Sequence, residues 1–253
     1  MDHLKNVNWI GKVCFFEAET ESTNDLLHKL VKEKKVPSGA VLYTDYQSRG
    51  KGQRGSTWLG NKGENIAMSI YLNELQLSHN QSFKLNQIVS LSVVEALSNE
   101  LDKSVLIKWP NDIYYKNKKL GGILIELSSQ GSIVFDAILG IGININQIIF
   151  PKGLLNPSSL RLIDGINRNR KYIMEAICRR LEHWYTVMMN DTEESLHGAY
   201  LNKLLGYGEE RYFEIGGIKT KATLLGIGER GLLKLAVEGN IRFFDLKEVR
   251  FVF

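Results

Sequence analysis

Seven consecutive residues, Arg49-Gly50-Lys51-Gly52-Gln53-Arg54-Gly55, hold three cations and three glycines. Glycines let successive backbone N–H groups converge on an anion, and basic side chains neutralise it. The chemistry suited to this composition is the handling of phosphate. Gly50 to Gly55 matches G-x-G-x-x-G, with Glu74 near the acidic position of that dinucleotide fingerprint. The pattern has meaning only when a helix opens at the glycines, and Ser56-Thr57-Trp58-Leu59-Gly60-Asn61-Lys62-Gly63 does not suit a helix. A P-loop needs Lys and then Ser or Thr after its second glycine, and Ser56-Thr57 stand there instead. Both named patterns fail on context, which leaves a phosphate-handling loop or a plain flexible surface loop.

Other residues carry chemical potential one by one. Lys108 ends a strand-like run before Trp109-Pro110-Asn111-Asp112, either as a solvated strand-end lysine or as a charge aimed into a site. Asn111 and Asp112 suit a turn after Pro110. Ser22, Thr23 and Asn24 precede a helical run and can cap the free amides of its first turn. Trp58 suits a core position, and Asn144 and Asn146 suit a strand end. Gly121-Gly122 and Gly140–Gly142 interrupt apolar runs, as glycine does where a ligand or another backbone approaches closely. No protein metal site is expected. Cys14 and Cys178 have neither metal nor redox spacing and read as buried thiols in a reducing compartment.

The elements that must position these residues follow from periodicity. Val13–Ala18 reads as a strand and Ser22–Lys34 as a helix, with Leu26, Leu27, Leu30 and Val31 on one face. Ala40–Asp45 and Asn65–Leu72 are strands on either side of the glycine-rich loop, and Ser82–Leu101 is a long helix. Val105–Trp109, Ile113–Tyr115, Gly122–Leu127 and Ile133–Ile145 follow as strands joined by turns short enough for antiparallel pairing. Arg170–Asn190 and Glu194–Leu205 are helices. Beyond about Gly208, Tyr212–Ile215, Ile218–Leu225, Leu232–Val237, Ile241–Phe244 and Val249–Val252 alternate with glycine turns, which suggests a small closed β module. The fold class is α+β: a mixed, largely antiparallel sheet flanked by helices over residues 1–206, then a small β domain over 207–253.

At 253 residues the chain can bury a large core. Its net charge of +4 is too mild and too dispersed to indicate a nucleic-acid surface. Ile133–Ile145, the longest apolar stretch, is broken by Asp136, Gly140 and Gly142 and is no membrane span. The N-terminus lacks the apolar core of a signal peptide, so a cytoplasmic protein is expected.

Five blocks in order then resemble biotin–protein ligases, the biotin–[acetyl-CoA-carboxylase] ligases. They are Ser22-Thr23-Asn24; Tyr46 to Gly55 with Trp58; Lys108 to Asp112; Lys119 to Glu126; and Gly140 to Ile145. The resemblance implies a catalytic fold like that of class II aminoacyl-tRNA synthetases, with a C-terminal SH3-like barrel. It implies that biotin's carboxylate attacks the α-phosphate of ATP to give biotinoyl-5′-AMP, which an acceptor lysine then attacks. Lys108, Arg49, Lys51 and Arg54 would be the catalytic cations, with the Lys108 ammonium bridging the biotin carboxylate and the α-phosphate. One such charge at about 4 Å contributes ~4 kcal/mol of gross attraction at an effective dielectric of 20.

Ser22, Thr23, Asn24 and Gln47 would line the ureido end of biotin, and Gly50, Lys51, Gly52, Gln53, Lys108, Gly121 and Gly122 the rest of its site. Arg49, Arg54, Trp58, Asn111 and Asn144 would contact ATP or the adenylate, and Mg²⁺ would arrive with the ATP phosphates. The acceptor would be a biotin carboxyl carrier domain of a carboxylase. The oligomeric state, a homodimer included, is left open.

The family pattern begins by about residue 13, so the N-terminal DNA-binding domain of some members is not expected. Where the family loop often reads Gly-Arg-Gly-Arg-Arg-Gly, this chain has Lys51 and Gln53. Lys51 keeps charge without the planar fork and Gln53 has none, which points to looser retention of the intermediate. A lipoate–protein ligase and a non-catalytic biotin-binding module are the alternatives. The retained cations argue against the second, because binding biotin alone needs no triphosphate site.

Overall fold

A computed structural model describes residues 4–33, 36–190 and 193–252. Met1–His3 and Lys34, at one end of an expected helix, lie outside the described residues. In chain order the elements are β1 (Cys14–Glu17), α1 (Thr23–Glu33), β2 (Val41–Thr44), β3 (Ile66–Leu72), β4 (Leu77–Ser78), α2 (Phe83–Leu101), β5 (Leu106–Lys108) and β6 (Asp112–Tyr115). They continue with β7 (Lys118–Gln130), β8 (Ile133–Ile143), α3 (Leu160–Asp164), α4 (Arg170–Asn190) and α5 (Glu193–Asn202). The C-terminal strands are β9 (Glu210–Ile215), β10 (Ile218–Ile227), β11 (Leu233–Val237), β12 (Asn240–Phe244) and β13 (Val249–Phe251).

The first sheet runs β1-β2-β3-β8-β7-β6-β5, with β4 paired to one end of β8. Only β1 and β2 pair in parallel, because α1 carries the chain back between them; the other ladders are antiparallel. Side chains alternate across a sheet, so each face is set by register. On one face α2 and α4 cover the main core, which includes Met68, Ile70, Leu139, Ile141 and Ile143. On the other face α1 buries Leu27 against Leu42, Tyr71 and Ile138. That face also carries a row in which Ala67, Gly142, Gly122, Asp112 and Lys108 are successive cross-strand partners. Five strands thus offer one short side chain, two glycines and two charges in line, and α1 ends before covering them.

The second sheet is antiparallel, in the order β12-β11-β10-β9-β13, as expected of the SH3-like module. Phe213, Leu224, Leu233, Leu235 and Phe244 form its interior, and they belong to the same core cluster as the large sheet. Trp109 Nε1 donates to the Gly231 carbonyl at 2.8 Å in a buried bond that ties the two sheets. Among the described residues no helix is long and apolar enough to cross a membrane.

Two elements, β4 and α3, are absent from the periodicity reading. β4 has two residues, and α3 is a five-residue turn capped by the Ser159 hydroxyl and ended by Gly165 at φ 81°. Neither is long enough to show a period. β7 is longer than expected because its ends, Lys118-Lys119 and Ser128-Ser129-Gln130, are polar.

Candidate active site

A cavity of about 390 Å³ lies over the cross-strand row, between the start of α1, residues 51–58 and the C-terminal sheet. One end is neutral and largely buried. The Thr23 backbone N–H and hydroxyl both donate to Gln47 Oε1, at 2.8 and 3.0 Å. Ser69 Oγ lies 2.7 Å from Thr23 Oγ1 and 2.6 Å from Asn24 Oδ1. Asn24 Nδ2 donates to Glu126 Oε2 at 2.7 Å, which fixes the orientation of its amide. Ser22 begins the helix: its carbonyl accepts from Leu26 N at 3.0 Å. The helix start expected from Ser22-Thr23-Asn24 therefore doubles as a polar pocket wall. Ser69 is a buried member of this network that the sequence reading missed.

Glycines make the wall close. A Cβ on Gly140 would stand 2.5 Å from Asn24 Oδ1, and one on Gly142 would stand 2.7 Å from the Trp58 ring. Real Cβ atoms do not approach that closely, so these two positions admit Asn24 and the indole onto the sheet. Leu124 and the Trp58 ring supply the apolar middle of the cavity, while Met68, Ile123 and Ile141 border it from the strands with their side chains in the core of the opposite face.

The other end is cationic. Lys51, Gly52, Gln53, Arg54, Ser56, Thr57 and Trp58 line it from a loop closed by Gly52 N to Ser56 O (2.7 Å) and Trp58 N to Gly50 O (2.8 Å). Lys51 Nζ bonds Asp25 at 2.5 Å, and that bond raises its pKa above the ordinary lysine value. Arg54 pairs with Asp245 of the C-terminal segment at 3.2 Å. On the sheet, Asp112 lies 3.5 Å from Lys108 Nζ and 2.5 Å from Lys119 Nζ. Burial lowers the Lys108 pKa below the ordinary lysine value; Asp112 opposes that shift and the Lys119 charge adds to it. Lys119 is a third cavity lysine, beside Lys51 and Lys108, to which the sequence reading gave no role.

The expected residues do not all meet at the cavity. Ser22, Thr23, Asn24, Gln47, Lys51, Gly52, Gln53, Arg54, Trp58, Lys108, Asn111 and Gly122 line it. Arg49 projects outward to Glu21 at 3.5 Å, with 77% of its side chain exposed. Gly50 sits behind the wall, against Gln47 and Trp58. Gly121 pairs with Ile143 on the opposite face of β7, where a Cβ would meet the Gly142 carbonyl at 2.5 Å. Asn144 is buried beyond the lining; its Nδ2 donates to the Ser158 carbonyl at 2.9 Å, and Oδ1 has no hydrogen-bond partner. Asn111 spends its amide on the Ile123 carbonyl, at 2.5 Å. Leu246, Val249, Arg250 and Phe251 line the cavity from the C-terminal sheet, and no sequence motif marks them.

The arrangement suits a ligand with a compact polar head, a short apolar stem and an acid that meets phosphate at the far end. Residues 16–144 match the model of the biotin/lipoate A/B protein ligase family. The Bacillus spizizenii bifunctional ligase/repressor BirA is 27% identical over 236 residues, spanning 92% of this chain and 72% of that protein. The biotin–[acetyl-CoA-carboxylase] ligase of Mycobacterium tuberculosis is 27% identical over 232 residues, 88% of this chain and 83% of that one. The Aquifex aeolicus biotin protein ligase, solved with biotin and ATP, is 29% identical and superposes with a TM-score of 0.76 over 95% of this chain and 100% of its own. By the match across half its length, with the polar wall, the glycine-rich loop, Lys108 and Lys119 inside the matched segment, this chain belongs to the biotin/lipoate A/B protein ligase family.

Proposed function

We propose that the chain is an ATP-dependent biotin–protein ligase that forms biotinoyl-5′-AMP and transfers biotin to a lysine of an acceptor protein. The observation that carries this reading is the division of one cavity into a neutral hydrogen-bonding end and a cationic end. The ureido group of biotin offers two N–H donors and a carbonyl, and Ser22, Thr23, Asn24 and Gln47 offer matching partners. The dithiolane of lipoate offers no such donors or acceptor, and a polar group that a bound ligand leaves unpaired costs about 1–3 kcal/mol. The apolar middle takes the thioether ring and valeryl chain.

The carboxylate then reaches Lys108 and Lys119, on either side of Asp112. A carboxylate oxygen attacks the α-phosphorus of ATP, the bond to the β-phosphate oxygen breaks, and pyrophosphate leaves. Two anions converge in this step, so cations fixed beforehand lower its barrier. Lys51 and Arg54 must leave Asp25 and Asp245 to meet phosphate. The acceptor amine next attacks the acyl carbon, forms the amide, loses a proton and releases AMP.

Asp112 is the sole carboxylate among the described lining residues, and both lysines hold it. The cavity therefore builds no cation site of its own, and Mg²⁺ would come with the phosphates of ATP. The acceptor would be a biotin carboxyl carrier domain, the compartment the cytoplasm, and the domains residues 1–206 and 207–253. The test is mass spectrometry of a carrier domain incubated with the full chain, ATP and either biotin or lipoate. The expected result is ATP-dependent addition of biotin alone; addition of lipoate at a comparable rate would overturn the assignment.

A further inference from the structure

Lys108 is held differently from Lys119 and from the cavity cations of the glycine-rich loop. Lys51, Arg54 and Lys119 lie 2.5 to 3.2 Å from carboxylates, whereas Lys108 Nζ is 3.5 Å from Asp112. It lies between two aromatic faces, 5.4 Å from the Tyr114 centroid on β6 and 5.4 Å from the Phe251 centroid on β13. A ring face attracts an ammonium without neutralising it and offers no competing anion. A lysine caged by rings keeps its charge available, while its flexible stem loses the freedom to swing away.

The Phe251 ring is itself fixed. It packs edge-on against buried Phe213 with centroids 5.0 Å apart, and the two residues are cross-strand partners. The sheet that carries it is anchored by the bond from Trp109, the residue after Lys108, to Gly231.

We propose that Phe251 is a positioning residue for adenylation, whose ring holds the Lys108 ammonium toward the incoming carboxylate and α-phosphate and makes the C-terminal sheet a working wall of the site. The proposal rests on the ligase reading and on the part that Lys108 plays in it. The charged and titratable groups facing this ammonium are Asp112 and Tyr114 on β6 and Lys119 on β7; Arg250, next to Phe251 on β13, turns to Glu214.

The test uses biotin-dependent exchange of pyrophosphate into ATP by the full chain. Phe251→Leu, which keeps apolar bulk and removes the ring, is expected to lower kcat about fivefold or more with KM for biotin within about twofold. Phe251→Tyr should restore at least about half of the rate. Adding one, two and three fluorines to the Phe251 ring conserves its size and weakens its negative face, so the rate should fall with each. This series remains decisive if Phe251→Leu folds poorly. A wild-type rate in Phe251→Leu, or a flat response to fluorination, would overturn the proposal. No exchange by the unmodified chain would instead sink the ligase reading itself.

Discussion

The two ends of the cavity are built on opposite principles. At the neutral end, Thr23, Asn24, Gln47 and Ser69 are tied to one another, and Ser22, Thr23, Asn24 and Ser69 are buried. At the cationic end, half-exposed side chains are parked on carboxylates from separate elements: Lys51 on Asp25 and Arg54 on Asp245. Buried neutral hydrogen bonds are costly to leave unmade, so the first end is set before ligand arrives. Exposed ion pairs contribute little, about 0–1 kcal/mol, so the second end can exchange its internal carboxylates for phosphate. The polar wall selects the ligand and the parked cations wait for the reaction.

The largest effect should come from the cationic end. Lys108→Ala is expected to slow adenylation by about two to three orders of magnitude, and Lys119→Ala by a comparable factor. Pyrophosphate exchange measures both; near-normal rates in either would remove that lysine from the mechanism. At the neutral end, Thr23→Val keeps the shape and leaves Gln47 Oε1 without the hydroxyl. Biotin binding measured by calorimetry should weaken about tenfold or more, with little change in the rate at saturation. An unchanged affinity would show that this wall does not read the ligand.

Two smaller effects sharpen the contrast. Gln53→Arg adds a cation to the cavity loop and should slow escape of biotinoyl-AMP several-fold. Equal escape rates would rule out position 53 as a latch. The last concerns protons. Lys108 acts as an ammonium, and its lowered pKa means that it loses its proton at a lower pH than an ordinary lysine. Adenylation should therefore decline on the alkaline side below the usual lysine value of about 10.4, a limb absent from Lys108→Ala. A flat alkaline profile in the unmodified chain would contradict this.

Much of this contrast is legible in the residues. Ser22-Thr23-Asn24 before an amphipathic run marks both a helix start and a polar wall, and the glycine-rich loop and Lys108 stand out by composition. Register is what stayed hidden. Gly121 and Gly122 look equivalent in the chain, yet the pleat sends one to each face of β7. By simple alternation Lys119 would share the face of Gly121. A register shift between Ile113 and Tyr114, where Gly121 and then Lys119 are the partners, adds one residue and returns Lys119 to the cavity. Ser69 is one hydroxyl in an apolar strand, and it faces Asn24 because β3 pairs it with Gly140. Phe251 is more than a hundred residues from Lys108 and reaches it only through the docking of a second sheet.

The division of labour is tested most directly by pyrophosphate exchange in the unmodified chain, Thr23→Val and Lys108→Ala across a full range of biotin concentration. If one end selects and the other reacts, Thr23→Val regains most of the unmodified rate as biotin rises, and Lys108→Ala stays slow at every concentration. Recovery of Lys108→Ala by biotin alone, or a Thr23→Val rate that stays low at saturation, would contradict the account.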